Sequence, residues 1–154
     1  MLTLEQQACN ADTREHIARV QQLLNKVAIA LLQRGEIHDQ SKLKTPEVEV
    51  FTVYTPLLAT TVYGSAEGER IKKEMASCLE HHYANNRHHP QHFKNGIEDM
   101  DLIDIVEMYC DWKASSERHN TGNIRKSIEI NANKFGMPPM LVKIFENTVD
   151  FIND

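Results

Sequence analysis

A chain of 154 residues is long enough to bury a real core, and its 41% apolar and 25% charged content excludes an intrinsically disordered protein. A net charge of −5, from 22 acidic and 17 basic residues, speaks against a protein that coats nucleic acid, although a small phosphorylated ligand needs only a local cation or metal. Cys9, Cys78 and Cys110 are odd in number and form no C-x-x-C pair, so they read as reduced thiols; no apolar run approaches the ~18 residues that cross a bilayer, and a soluble, cytoplasmic protein without membrane contact is expected.

In chain order, the first helix is expected in "DTREHIARVQQLLNKVAIALLQRG", capped by Asp12 or Thr13 and ended by Gly35. Ile17, Val20, Leu24, Val27 and Leu31 recur at helical spacing, and His16 falls on or beside their stripe. "EIHDQSKL" reads as a short helix or turn. "TPEVEVF" opens another helix, with Thr45 as cap and Pro46 at its first position. "TVYTPLLATTVYGS" fits strand and helix about equally. "SAEGERIKKEMASCLEHHY" is helical, with Ile71, Met75, Cys78 and Leu79 on one face. The loop "ANNRHHPQHFKNGIED" is broken by Pro90 and Gly96. "MDLIDIVEMYCDWKASSERH" is the second strong helix, and "NIRKSIEINANKF" another; Pro138 and Pro139 open a C-terminal helix over 138–152. The pattern predicts an all-α fold, one compact domain of about 6–7 helices with no repeat or linker.

The stretch "HHYANNRHHPQH" holds five of the eight histidines. His81 and His82 fall at a helix end, and His88 and His89 in the loop; imidazoles are readily neutral at pH 7, as ligation requires. His38 and Asp39 offer a nitrogen and an oxygen ligand side by side, a mixture that suits transition metals better than calcium. Asp104, Glu107 and Asp111 stand at offsets of three and four, so they line one helical stripe that is either solvated or faces a cleft. Trp112, the sole tryptophan, fits a core role better than a base-stacking one.

The order His16, His38-Asp39, His82, His88 or His89, and Asp111 resembles the HD superfamily of metal-dependent phosphohydrolases, whose ligands run H…HD…H…H…D. "HDQSK" resembles the H-D-x-x-K form of the HD-GYP branch, in which Lys42 would help to hold phosphate. "HHYANNRHHP" is similar in placement to that branch's H-H-E-x-x-D-G-x-G-Y-P, but it lacks the Gly-Tyr-Pro, so specificity for cyclic di-GMP does not carry over. "CDWKAS" resembles the terminal A-D-x-x-x-A element, which favours Asp111 over Asp104 as the last ligand. From about residue 13 to 135 the chain also resembles an uncharacterised family of small phage and bacterial proteins sharing HD-x-S-K, HH-x-x-N-x-HHP and E-M-x-x-D-W.

The resemblance implies an HD-like helical domain with one or two divalent transition metals (Mn, Fe, Co, Zn or Ni). One would sit on His16, His38, Asp39 and Asp111, with Asp104 as the alternative carboxylate. A second would sit on His82 and His88 or His89, bridged by Asp39. The implied activity is phosphohydrolysis of a nucleotide or other small phosphate ester by metal-activated water. Lys42, Arg87 and Arg118 would neutralise phosphoryl oxygens, and Glu107 would orient water or support a ligand. The rival expectations are an inactive metal- or nucleotide-binding regulatory module on the same scaffold, a single-strand nuclease, and a helical adaptor with incidental histidines. Homo-oligomerisation stays open.

Overall fold

A computed structural model describes residues 1–62, 65–118 and 122–151. Every regular element among them is helical: seven α-helices and four short 3-10 turns, which makes the fold all-α. None of these helices is long and apolar enough to cross a membrane. The chain divides into two units, Met1–Ile37 and His38–Asp154.

The first unit contains one helix, α1 (Leu4–Ile37), of 34 residues. It starts well before Asp12 and Thr13 because Thr3 and Gln6 cap each other. The Gln6 amide donates to Thr3 Oγ1 at 3.2 Å, and the Thr3 amide donates to Gln6 Oε1 at 2.9 Å. That reciprocal T-x-x-Q frame satisfies two amides that a helix start otherwise leaves open. Thr13 lies inside the helix, where its hydroxyl donates to the Cys9 carbonyl at 2.9 Å. Gly35 does not stop the helix, which runs on to Ile37.

In the second unit a 3-10 turn (Gln40–Leu43) precedes α2 (Glu47–Ala59). Pro46 occupies the cap position of α2, one place earlier than expected, and Thr45 spends its hydroxyl on Glu49 at 2.6 Å. The ambiguous stretch from Thr52 is helix through Ala59 with Pro56 inside it; positions 63 and 64 of that stretch lie outside the described residues. The pattern read as one helix after Ser65 is two, α3 (Ala66–Glu74) and α4 (Ala76–Asn85), separated at the buried Met75. Ser65 caps α3 by accepting the Gly68 amide. The expected face survives the break, since Ile71, Met75 and Cys78 are all buried.

Two further 3-10 turns, Pro90–His92 and Gly96–Asp99, shape the predicted loop. α5 (Leu102–Glu117) follows, with Asp101 and Asp104 forming a capping box; the last expected position of that helix, 119, lies outside the described residues. Asn123 caps α6 (Ile124–Phe135), and Gly136 ends it at φ 60, a left-handed conformation that glycine adopts without strain. α7 (Pro139–Thr148) starts on the expected prolines and passes into a 3-10 turn at Val149–Phe151; position 152 lies outside the described residues.

Met108, Tyr109, Trp112, Ile128, Phe145 and Val149 form the main core between α5, α6 and α7. Trp112 is 8% exposed, stacks near-parallel on Phe135 at 6.3 Å and meets Phe145 edge-on at 5.8 Å, which is the core role expected of it. The same α5 carries Glu107 and Asp111, so burying its apolar side holds both carboxylates in place.

Candidate metal centre

Asp39 adopts a left-handed backbone (φ 56), which short polar residues tolerate better than most, and it opens the Gln40–Leu43 turn. Its Oδ2 receives a hydrogen bond from Lys42 Nζ at 2.6 Å and stands 3.5 Å from His38 Nε2. Its Oδ1 stands 3.3 Å from His82 Nε2 and 3.6 Å from His88 Nε2. Asp111 Oδ1 reaches to 3.7 Å from His38 Nε2, and the Nε2 atoms of His82 and His89 lie 2.9 Å apart. Two overlapping groups result: His38, Asp39, His88 and Asp111, and Asp39, His82, His88 and His89. In each group the donor atoms lie within 4.8 Å of one another.

The outward nitrogens of His38 and His82 are held by carboxylates. Glu107 Oε1 lies 3.0 Å from His38 Nδ1 and 3.1 Å from His88 Nδ1. Glu47, fully buried, accepts from His82 Nδ1 at 2.8 Å and from His81 Nδ1 at 2.7 Å. The Ser41 hydroxyl donates to Glu47 at 2.9 Å, and the Asn86 amide donates to Ser41 at 2.8 Å. A carboxylate at Nδ1 keeps the ring proton there and leaves the Nε2 lone pair facing the centre, the usual support for a metal-binding imidazole.

The electrostatics favour neutral nitrogens beside charged oxygens. Burial first, then the Lys42 charge, lowers the pKa of His82; burial, followed by the neighbouring His88, lowers His89 to about 2. Burial would raise Asp39, but Lys42, followed by His38 and His82, together more than offset it and the carboxyl ends below its ordinary value. His38 differs: its contacts to Asp111 and then Glu107 raise it to about 10, so a metal arriving there displaces a proton.

The His88 Nδ1 atom, 3.1 Å from Glu107, makes no hydrogen bond among the described residues, and neither do the buried Asp39 Oδ1 and His88 Nε2. Leaving a buried polar atom unpaired costs about 1–3 kcal/mol. A divalent ion would satisfy Asp39 Oδ1 and His88 Nε2 at once, and a mixed imidazole and carboxylate set fits Mn, Fe, Co, Zn or Ni. The donors present therefore fit a transition metal.

Most expected ligands converge: His38, Asp39, His82, His88, His89 and Asp111 all belong to the two groups. His82, not His81, is the inward member of its pair, being buried where His81 is exposed. His88 and His89 both take part rather than one or the other, and His88 is common to both groups. His16 stands exposed on α1, in the first unit, and belongs to neither group. Asp104 is also in neither. It is fully buried, closes the α5 capping box, and accepts both Nε (3.1 Å) and Nη2 (2.8 Å) of Arg87.

Arg87 thereby clamps the histidine loop to α5, and it does not line the cavity described below. Arg118 sits exposed at the end of α5 and does not line the cavity described below. Sequence reasoning missed Glu47, Ser41 and Asn86. Glu47 looked like an ordinary first-turn acid, and nothing local separates it from the neighbouring Glu49. The Asp101-x-x-Asp104 spacing before an apolar run was a readable signal for the cap.

A cavity of about 240 Å³ adjoins the centre, with His89 and Asp111 among its walls. Over residues 5–152 the sequence matches the Family of unknown function (DUF5662). The chain belongs to that family. No curated protein and no solved structure matches it.

Proposed function

We propose that the protein is a metal-dependent phosphohydrolase acting on a nucleotide or other small phosphate ester. The observation that carries this reading is the pairing of the inward Nε2 atoms of His38 and His82 with buried carboxylates at their Nδ1 atoms, around an Asp39 oxygen that has no hydrogen bond among the described residues. Such a polar centre is costly to build without a charge to hold. His38, Asp39, His88 and Asp111 would hold one ion, and Asp39, His82 and His89 a second. When bound, the metal supplies Lewis acidity toward a phosphoryl oxygen and lowers the pKa of water toward about 7.

The chain supplies the rest. Glu107 keeps the His38 imidazole oriented. Lys42, ion-paired to Asp39 and part-buried, holds a positive charge where phosphoryl oxygens gain negative charge. The small cavity admits a compact ester more readily than a polymer.

Phosphate release from a panel of nucleotides and an aryl phosphate tests the reading, with manganese, cobalt or zinc added to metal-stripped protein. The expected result is metal-dependent release that drops by at least about 10²-fold in Asp39→Asn. Bound metal without turnover of any ester would point to the regulatory module instead. Absence of both metal and turnover would overturn the metal centre itself.

A further inference from the structure

α1 runs for 34 residues, roughly 51 Å, and not one of them is buried. A helix in a folded protein draws most of its stability from packing an apolar face, so a face left open along this length calls for a partner. Ile17, Val20, Leu24, Val27 and Leu31 step by three and four residues, the a and d spacing of a seam that interlocks with a second helix. Leu23, Ala28 and Ala30 fall at the flanking e and g positions and widen it. Ile17, Val20, Leu23, Leu24 and Val27 are between 39% and 62% exposed, which makes a contiguous patch rather than scattered apolar residues.

Length decides which helix fits there. The described α-helices after Ile37 run from 9 to 16 residues. The longest, α5, spends its apolar side on the core it shares with α6 and α7. α1 of a second copy is the helix of matching length and seam. Charge permits the match. Between Ile17 and Leu31 the charged residues are Arg19 and Lys26, and both stand at c positions, outside the seam. Over residues 1–37 four acidic and four basic side chains cancel, so the −5 of the chain rests on the remainder. Two such helices meet without net repulsion, and a neutral helix has no electrostatic attraction to an anionic lipid surface.

From this we propose that α1 is a self-association surface, its Ile17–Leu31 seam packing on the same seam of a second copy of the chain. The a, d, e and g positions of a 34-residue helix amount to about 19 residues a side, close to the roughly 20–30 of a standard protein interface. No residue of α1 belongs to either donor group, so the proposal is independent of the phosphohydrolase reading.

The test begins with sedimentation equilibrium of the full chain, which is expected to give twice the 17.7 kDa of one copy. Leu24→Glu/Val27→Glu replaces two exposed apolar residues by strong helix formers and sets like charges face to face in the seam. It should weaken association by at least about 100-fold and give the mass of one copy. Fluorescence of Trp112, buried in the core of the second unit, confirms that the variant is folded there. If the variant does not fold, amide exchange of the unaltered protein decides. Residues 17–31 are expected to exchange at least about 100-fold more slowly than unfolded chain, a protection that an unpaired helix does not reach. A mass of one copy would overturn the proposal, and with α1 protected it would mean that the helix folds onto its own chain. A double variant that stays folded and dimeric, or a dimer whose residues 17–31 exchange like unprotected chain, would overturn it equally.

Discussion

Glu47 is the least conspicuous residue of the centre and one of the most consequential. Its two oxygens serve His81 and His82, and Ser41 adds a third hydrogen bond, so a fully buried carboxylate stays ionised below its ordinary pKa although burial alone would raise it. Glu47→Gln keeps the shape and removes the charge that fixes the His82 tautomer. Metal affinity should fall about 10- to 100-fold, read by competition with a chromogenic chelator. Glu107→Gln should lose a similar amount, because its carboxylate holds the His38 ring and adds negative charge 3.1 Å from His88. An affinity unchanged in both variants would remove the support role assigned to these carboxylates.

At the scale of elements, the centre depends on how the histidine loop is tied to α5. Arg87, one residue before His88, grips Asp104 with two hydrogen bonds, lies 4.9 Å over the Phe93 ring, and Asp104 in turn caps the helix that carries Glu107 and Asp111. Arg87→Ala would take two charge-assisted hydrogen bonds from a buried carboxylate, and stability should fall by about 1–3 kcal/mol in urea unfolding. Arg87→Lys should recover only part of it, since an ammonium cannot reproduce the two-pronged contact. A substrate-binding arginine would behave differently, with activity lost at unchanged stability.

Across the whole molecule, the candidate ligands come from stretches far apart in the chain, so a metal bound there would be linked to folding. Ligands of the native state that the unfolded chain cannot assemble raise stability by mass action. Adding manganese or zinc at 100 times its dissociation constant should stabilise the protein by about 2.7 kcal/mol, seen as a rise in Tm that a chelator reverses. Asp39→Asn should abolish that rise, because Asp39 belongs to both ligand groups. A Tm indifferent to metal in the unaltered protein would mean that the cluster holds none.

The donor set was legible in the sequence because it depends on residue type: His38-Asp39, the paired histidines and Asp111 are rare, locally grouped side chains with few other uses in such number. Helical periodicity likewise announced α1, α5 and α6, since a 3.6-residue repeat is a local property. The exact start of α1 and the break at Met75 escaped, because caps and packing can override periodicity within a turn. Which histidine faces inward, which aspartate joins the donor groups and what orients the His38 and His82 rings were decided by contacts between distant segments. His38 meets Glu107 across 69 positions, and His82 meets Glu47 across 35. No local pattern encodes such pairings; they exist only once α2, α4 and α5 are packed and an unpaired buried carboxylate has become too costly to tolerate.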